Sequence, residues 1–339
     1  MRKRLFAILQ YVIFLGGGLF LVWWQLKSMT TTEKEEFYAS VKNANYWIVF
    51  PIAIMSILSH ISRSMRWKLL MAPLGYRPKL RNVFSVTMIG YLANSAIPRL
   101  GEILKCTFLA KYENLKVDKL VGTIIVERSF DFICYLIFIV ITVLIQIDTI
   151  SEFVKTKLNL ISSSTSMPIW LKFTILFSSL IFIWMGLKWL LKKYPENKIF
   201  AKINHFIHGI WEGFRSIKKL ENRKVFLLHT VFIWAMYLGQ IYLGFWGMEG
   251  TADLSMKAAF SVLTLATLSM IVTPGGIGSF PIFVMQTLLI YGIAAPLGKA
   301  FGWIMWGVST SLVIVIGLSC LVLIPYLNKL KNESDTAHN

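Results

Sequence analysis

Two groups of charged residues stand inside otherwise apolar sequence. Arg99, Glu102 and Lys105 follow Pro98, and Glu127, Arg128 and Asp131 precede a long apolar run. A guanidinium presents a planar fork of donors that matches a phosphate bidentately, as binding a lipid headgroup requires. Carboxylates beside it can orient the arginine, or take a cationic headgroup or a proton. The same residues can instead pin helices as neutralised pairs: Arg128 with Asp131, Glu127 with Asp131, Arg99 with Glu102. A third group, Gly275, Gly276 and Gly278 after Pro274, offers backbone N–H groups for an anion-binding nest, or room for a turn and tight helix contact.

Composition decides what must hold these groups. The chain of 339 residues is 56% hydrophobic and 15% charged. Apolar runs from Leu5 to Trp24, Tyr46 to Ser62, Phe130 to Ile147, Ile169 to Leu187, Val225 to Trp246 and Trp303 to Ile324 are about the length that crosses roughly 30 Å of hydrocarbon. The chain therefore reads as an all-α polytopic membrane protein with about six full transmembrane helices. Leu5 to Trp24 lacks a small-residue cleavage site and reads as a retained helix. Within one helix starting near Lys119, Glu127 lies roughly 12 Å deep and Asp131 roughly 18 Å, where an ionised group by default marks a functional site.

The formal charge is +18, but its distribution is that of membrane topology and gives no reason to expect nucleic-acid binding. Arg63 to Arg81 holds six Lys/Arg and no acid, and Lys188 to Lys224 holds ten against three Glu. Leu26 to Asn45 balances three Lys with three Glu, and Asp148 to Pro168 has two of each sign. This alternation puts the N-terminus, the 63–81 loop, the 188–224 segment and the C-terminus in the cytoplasm of a multi-pass cell (inner) membrane protein. Trp23, Trp24 and Trp47 read as interfacial anchors. Cys106, Cys134 and Cys320 show no pairing motif, and HExxH, P-loop, GxSxG and paired CxxC motifs are absent from the sequence. No cofactor is expected. Nor is a metal, since His205 and His208 share a face without a third ligand.

The remaining apolar segments repeat. Val83-Phe84-Ser85-Val86 runs to Pro98, and Ala259-Phe260-Ser261-Val262 runs to Pro274 at the same spacing. Each segment is only about 22 Å long as a helix before its proline, and each is followed by a second apolar piece, so both read as broken or re-entrant helix pairs. With spans 5–24 and 169–187, 46–62 and 225–246, 130–147 and 303–324 in matching order, the halves (about 1–150 and 165–328) form two inverted repeats within a transmembrane domain 1–328. Secondary transporters are commonly built this way, with a site near the midplane. Residues 192–224 suit an amphipathic segment on anionic headgroups, and 329–339 a disordered tail.

Arg66-Trp67 with Leu69-Leu70, then Asn94, Pro98-Arg99-x-Gly101-Glu102 and Glu127-Arg128-x-x-Asp131, together with Pro274-Gly275-Gly276-Ile277-Gly278, resemble the transmembrane region of lysylphosphatidylglycerol synthases. The resemblance spans nearly the whole chain. It implies a flippase-like domain that moves lipids by their headgroups, and it adds Asn94 to the candidate binding residues. The soluble aminoacyltransferase domain of the full enzymes is not in this sequence, so synthase activity is not carried over. Pro281 stands where the family's second motif often has an acid, which weakens any proton- or cation-binding role at that position. The expected function is a lipid flippase or transporter acting on an anionic phospholipid or polyprenyl phosphate type of lipid. The alternative is a membrane-embedded transferase, or an accessory subunit of a lipid-modifying enzyme partner.

Overall fold

The computed structural model describes residues 16–157 and 220–337, with isolated helical positions between 174 and 189. Among the described residues there is no strand. Helices occupy 16–27 (α1), Thr31–Lys42 (α2), Val49–Met71 (α3), Leu80–Ala96 (α4), Leu100–Glu113 (α5), Val117–Lys157 (α6), Arg223–Phe245 (α7), Met256–Val272 (α8), Ser279–Ile290 (α9) and Ala295–Ala337 (α10). Among the described residues, four stretches are long and apolar enough to cross a membrane: Tyr46–Leu74, Val117–Gln146, Arg223–Phe245 and Ala295–Lys329. Most of the expected span 169–187 and nearly all of the segment 192–224 lie outside the described residues, as does the first part of span 5–24.

Several boundaries differ from the sequence expectation. The basic stretch 63–81 is not a loop from its start: α3 continues to Met71 and carries Arg63 and Arg66 inside it. Charge alone does not end a helix, because Arg, Lys and Leu are good helix formers. The chain turns only at Pro73 and Gly75, where Gly75 takes φ 78°. The neutral loop 26–45 contains α2, opened by a reciprocal cap in which Thr30 Oγ1 accepts from the Glu33 N–H and Glu33 accepts from the Thr30 N–H. Likewise α6 runs through the start of the 148–168 loop to Lys157, and α10 is helical to Ala337, through most of the expected tail 329–339.

The chain divides into two compact units, Met1–Ile124 with Leu220–Asn339, and Ile125–Lys219. In the first, α3 packs along α7, and α4 and α9 pack along α10. Small residues permit the close approaches. A Cβ on Gly302 would sit 2.7 Å from Pro281 Cα, and one on Gly317 would sit 2.8 Å from the Leu92 side chain. In the second unit the described structure is chiefly the continuation of α6.

Two helical hairpins organise the first unit. In α4–α5, the Glu113 carboxylate at the end of α5 accepts from the Lys79 N–H (3.0 Å) and the Asn82 amide (2.6 Å) at the start of α4. In α8–α9, Tyr291 just after α9 meets Ser261 near the start of α8 at 2.9 Å. Each hairpin thus returns to its own base. At 17 and 14 residues, or 17 and 12, the arms reach only about 18–26 Å as helix. The base of the first hairpin is tied to the far end of α10, where Asn82 and Asn328 exchange amide hydrogen bonds at 3.0 and 3.1 Å and Arg81 donates to Leu327 O. The second hairpin's base lies beside the start of α10, with Leu288 and Met285 against Gly298, while Pro281 near its tip lies further along, against Gly302. The two hairpins therefore enter along α10 from opposite ends.

Candidate functional site

The hairpin tips have the same backbone. α4 ends in extended Ile97 (φ −130°, ψ 115°) and α8 in extended Thr273 (φ −130°, ψ 150°). A proline follows each. Next, Arg99 adopts φ 67°, ψ −6°, and Gly275 adopts φ 60°, ψ 14°. Proline explains the extended residue before it, since its ring excludes the helical conformation there. The left-handed residue then turns the chain back. For glycine that conformation is free; for arginine it costs about 1–2 kcal/mol.

Because Arg99 precedes α5 with a left-handed backbone, the three-residue spacing to Glu102 does not place the two on one helical face. Arg99 is exposed, at the end of the hairpin. Glu102 instead accepts from the Asn94 amide at 3.3 Å, while Asn94 Oδ1 accepts from the Gly101 N–H at 2.8 Å. Asn94 therefore satisfies a donor at the α5 N-terminus that has no intrahelical partner. This closure requires glycine at 101, because a Cβ there would collide with the Gly90 carbonyl and the Asn94 side chain. Lys105, one turn on, is buried with its ammonium 3.9 Å from the centre of the Trp67 ring, a cation–π contact. Trp67 is held in turn by its indole N–H donating to Thr123 Oγ1 at 2.9 Å.

The second tip is closed by neighbouring backbone and side chains. The Gly276 and Ile277 N–H groups donate to Thr273 O and Pro274 O. Gly275 O accepts from the Trp306 indole at 2.8 Å, and Gly278 O from the buried Gln25 amide at 2.8 Å. Gly278 is also where α1 comes closest, since a Cβ there would lie 2.8 Å from Gly18 O. Pro281 is buried against Gly302, in an apolar contact. The two tips meet: a Cβ on Gly275 would lie 3.5 Å from Ser95 Cα, just before the first hinge.

Of the predicted residues, Asn94, Arg99, Glu102, Lys105 and the three glycines all belong to the first unit, on the two hairpins. Glu127, Arg128 and Asp131 lie in the second unit. There, with α6 starting at Val117, Glu127 is about 15 Å and Asp131 about 21 Å along the helix. Glu127 and Asp131 share a face one turn apart, and Arg128 is exposed. Among the described residues, no group of three or more His, Cys, Asp or Glu side chains could hold a metal ion.

Sequence reasoning missed a polar seam between α3 and α7. Arg63 and Arg66 are buried, donating to Tyr237 Oη at 3.1 Å and Thr230 Oγ1 at 3.2 Å. Ser62 Oγ and His229 Nδ1 meet at 2.9 Å, and the buried His60 ring lies 5.2 Å from that of Tyr91 on α4. The available signal was spacing: His60, Arg63 and Trp67 recur every three or four residues, as one helix face does.

Residues 7–317 match the family model of the lysylphosphatidylglycerol synthase transmembrane region. The chain is also similar to the UPF0104 membrane protein MJ1595 of Methanocaldococcus jannaschii, at 22% identity over 296 residues, covering 83% of this chain and 86% of the relative. No solved structure matches. Its charged first hinge, its Pro-Gly-Gly second hinge and a family match along nearly its whole length agree: this chain belongs to the lysylphosphatidylglycerol synthase transmembrane region family.

Proposed function

We propose that this protein binds the phosphate-bearing headgroup of a phospholipid or polyprenyl-linked lipid at the meeting hairpin tips and carries it across the membrane. The observation that carries this reading is that the two short hairpins enter along α10 from opposite ends and meet at Gly275 and Ser95. In the proposed topology the halves 1–150 and 165–328 are inverted repeats and both termini are cytoplasmic. The base of α4–α5 then faces the cytoplasm and that of α8–α9 the exterior. Arg99 offers its forked guanidinium to the phosphate, with Asn94 and Glu102 shaping the tip beside it and Lys105 adding positive charge. Gly275, half-buried where the tips meet, leaves room for a headgroup at the second hinge, while Gly276 and Gly278 form its buried turn. Glu127, Arg128 and Asp131 on α6 form a second charged station within their own unit. An intramembrane charge is costly enough to need a function or a partner, which supports a functional reading of each group within its own unit.

The test is translocation of headgroup-labelled lipids in proteoliposomes, with anionic, aminoacylated and polyprenyl-phosphate lipids compared. The reading expects protein-dependent movement of at least one class across the bilayer. No movement of any class would overturn it, and chemical conversion of the lipid without movement would favour a membrane-embedded transferase.

A further inference from the structure

The polar seam on α3 holds one titratable group that the hairpin tips do not use. His60 is the central residue of α3, about 16 Å of helix from either end, and it is 9% exposed. Its Nδ1 is buried with no hydrogen-bond partner among the described residues, and its Nε2 has Ser56 Oγ at 3.5 Å. The neighbouring hydroxyls are turned elsewhere, Ser59 donating to Ser56 O and Ser64 to His60 O. A neutral imidazole carries one N–H, whereas an imidazolium carries two and needs an acceptor for each. The arrangement therefore satisfies the neutral ring better than the charged one, since a buried ion with one long contact has given up its water and gained little. Tyr91 of α4 lies against the ring, with centroids 5.2 Å apart. It stands one turn before Asn94 and Ser95, beside the point where the two hairpin tips meet.

We propose that His60 is a proton-binding site that sets how the α4–α5 hairpin sits on α3. With α4 closed over the ring, the described conformation is the one that excludes the proton. Protonation favours a second conformation, in which α4 has moved off α3 and Nδ1 reaches water or another acceptor. Two conformations that differ in affinity for one proton exchange populations with pH, by at most about tenfold in their ratio per pH unit. Histidine is the side chain suited to such a response between about pH 5 and 8. The other titratable and charged groups around it are few. Arg63 stands one turn on along α3, and Tyr91 comes from α4. From α7 come Tyr237, which accepts from Arg63, and His229, which meets Ser62. α5 reaches α3 with Lys105 at Trp67, and α10 carries no charged residue between Lys299 and Lys329. The inference concerns the position of the hairpin and does not depend on lipid transport.

The test uses the full chain in maltoside micelles, with Cys106, Cys134 and Cys320 replaced by serine. Spin labels are placed at two exposed positions, Met65→Cys on α3 and Ile103→Cys on α5, and the distance between them is measured by pulsed electron spin resonance from pH 8 to pH 5. One distance is expected at pH 8, joined toward pH 5 by a longer one whose share grows as the pH falls. His60→Gln should hold the distribution fixed at every pH, whereas His229→Gln should keep the response. A second measurement leaves His60 in place. With His205, His208, His229 and His338 changed to Gln, nitrogen NMR of the single remaining imidazole should show it taking up a proton with the same midpoint as the change in distance. Identical distance distributions at pH 8 and pH 5 would overturn the proposal. So would a response that survives His60→Gln, or a His60 ring that stays neutral throughout.

Discussion

Arg99 and Gly275 occupy the same place in two hinges, with φ 67° and 60°, yet only one is the residue that conformation favours. Glycine at 99 would relieve backbone strain, so arginine there is best explained by what its side chain does at an exposed tip. Gly101 is constrained for the opposite reason, since its missing Cβ lets α4 and α5 touch. Gly101→Ala should therefore destabilise the protein by about 1–3 kcal/mol through overpacking against the Gly90 carbonyl and Asn94. The change would be read as a lower midpoint in detergent thermal melts, whereas Gly122→Ala, with open space around it and alanine the better helix former, should keep or raise the midpoint. An equal midpoint for Gly101→Ala would mean that the hairpin is not closed as described.

Among the elements, α2 carries the simplest titratable device. Hydrogen bonds from the Thr30 backbone and then its side chain lower the Glu33 carboxyl from its ordinary value of 4.5. A lowered folded-state value means that the cap's contribution is complete above about that ordinary value and is lost as pH falls through the folded-state value. Amide exchange in α2, corrected for intrinsic rates, should thus show less protection at pH 3 than at pH 6. Glu33→Gln should remove the pH dependence, and a wild-type α2 equally protected at both would contradict the cap. Of the elements, the two broken pairs were the most legible in sequence, because Pro98 and Pro274 end helices too short to span. Residues that end a helix are read more easily than residues that merely look polar. Arg63 and Arg66 read as loop from their charge, yet they stand in a stretch free of Gly and Pro and lie inside α3. The pairing of Asn94 with Gly101 and Glu102 was not legible either, since it depends on the reversal at Arg99 and on a Gly90–Gly101 contact that only the folded hairpin creates.

Taken as a whole, the first unit is arranged around α10, with one hairpin based near Asn328 and the other near Ala295. If the halves are inverted, exposed residues beside the two bases face opposite compartments. In a chain with Cys106, Cys134 and Cys320 replaced by serine, Lys116→Cys should react with a membrane-impermeant maleimide only from the cytoplasm. Asp253→Cys should react only from the exterior, and labelling of both from one side would refute the inverted arrangement. The account's central claim, that a lipid phosphate is held at the meeting tips, is tested most directly by Arg99→Gly in the proteoliposome translocation assay. Glycine suits the left-handed backbone, so the variant should melt within about 1 kcal/mol of the parent. We expect that equally stable protein to lose at least tenfold in translocation rate; an Arg99→Gly protein that moves lipid as fast as the parent would contradict the claim.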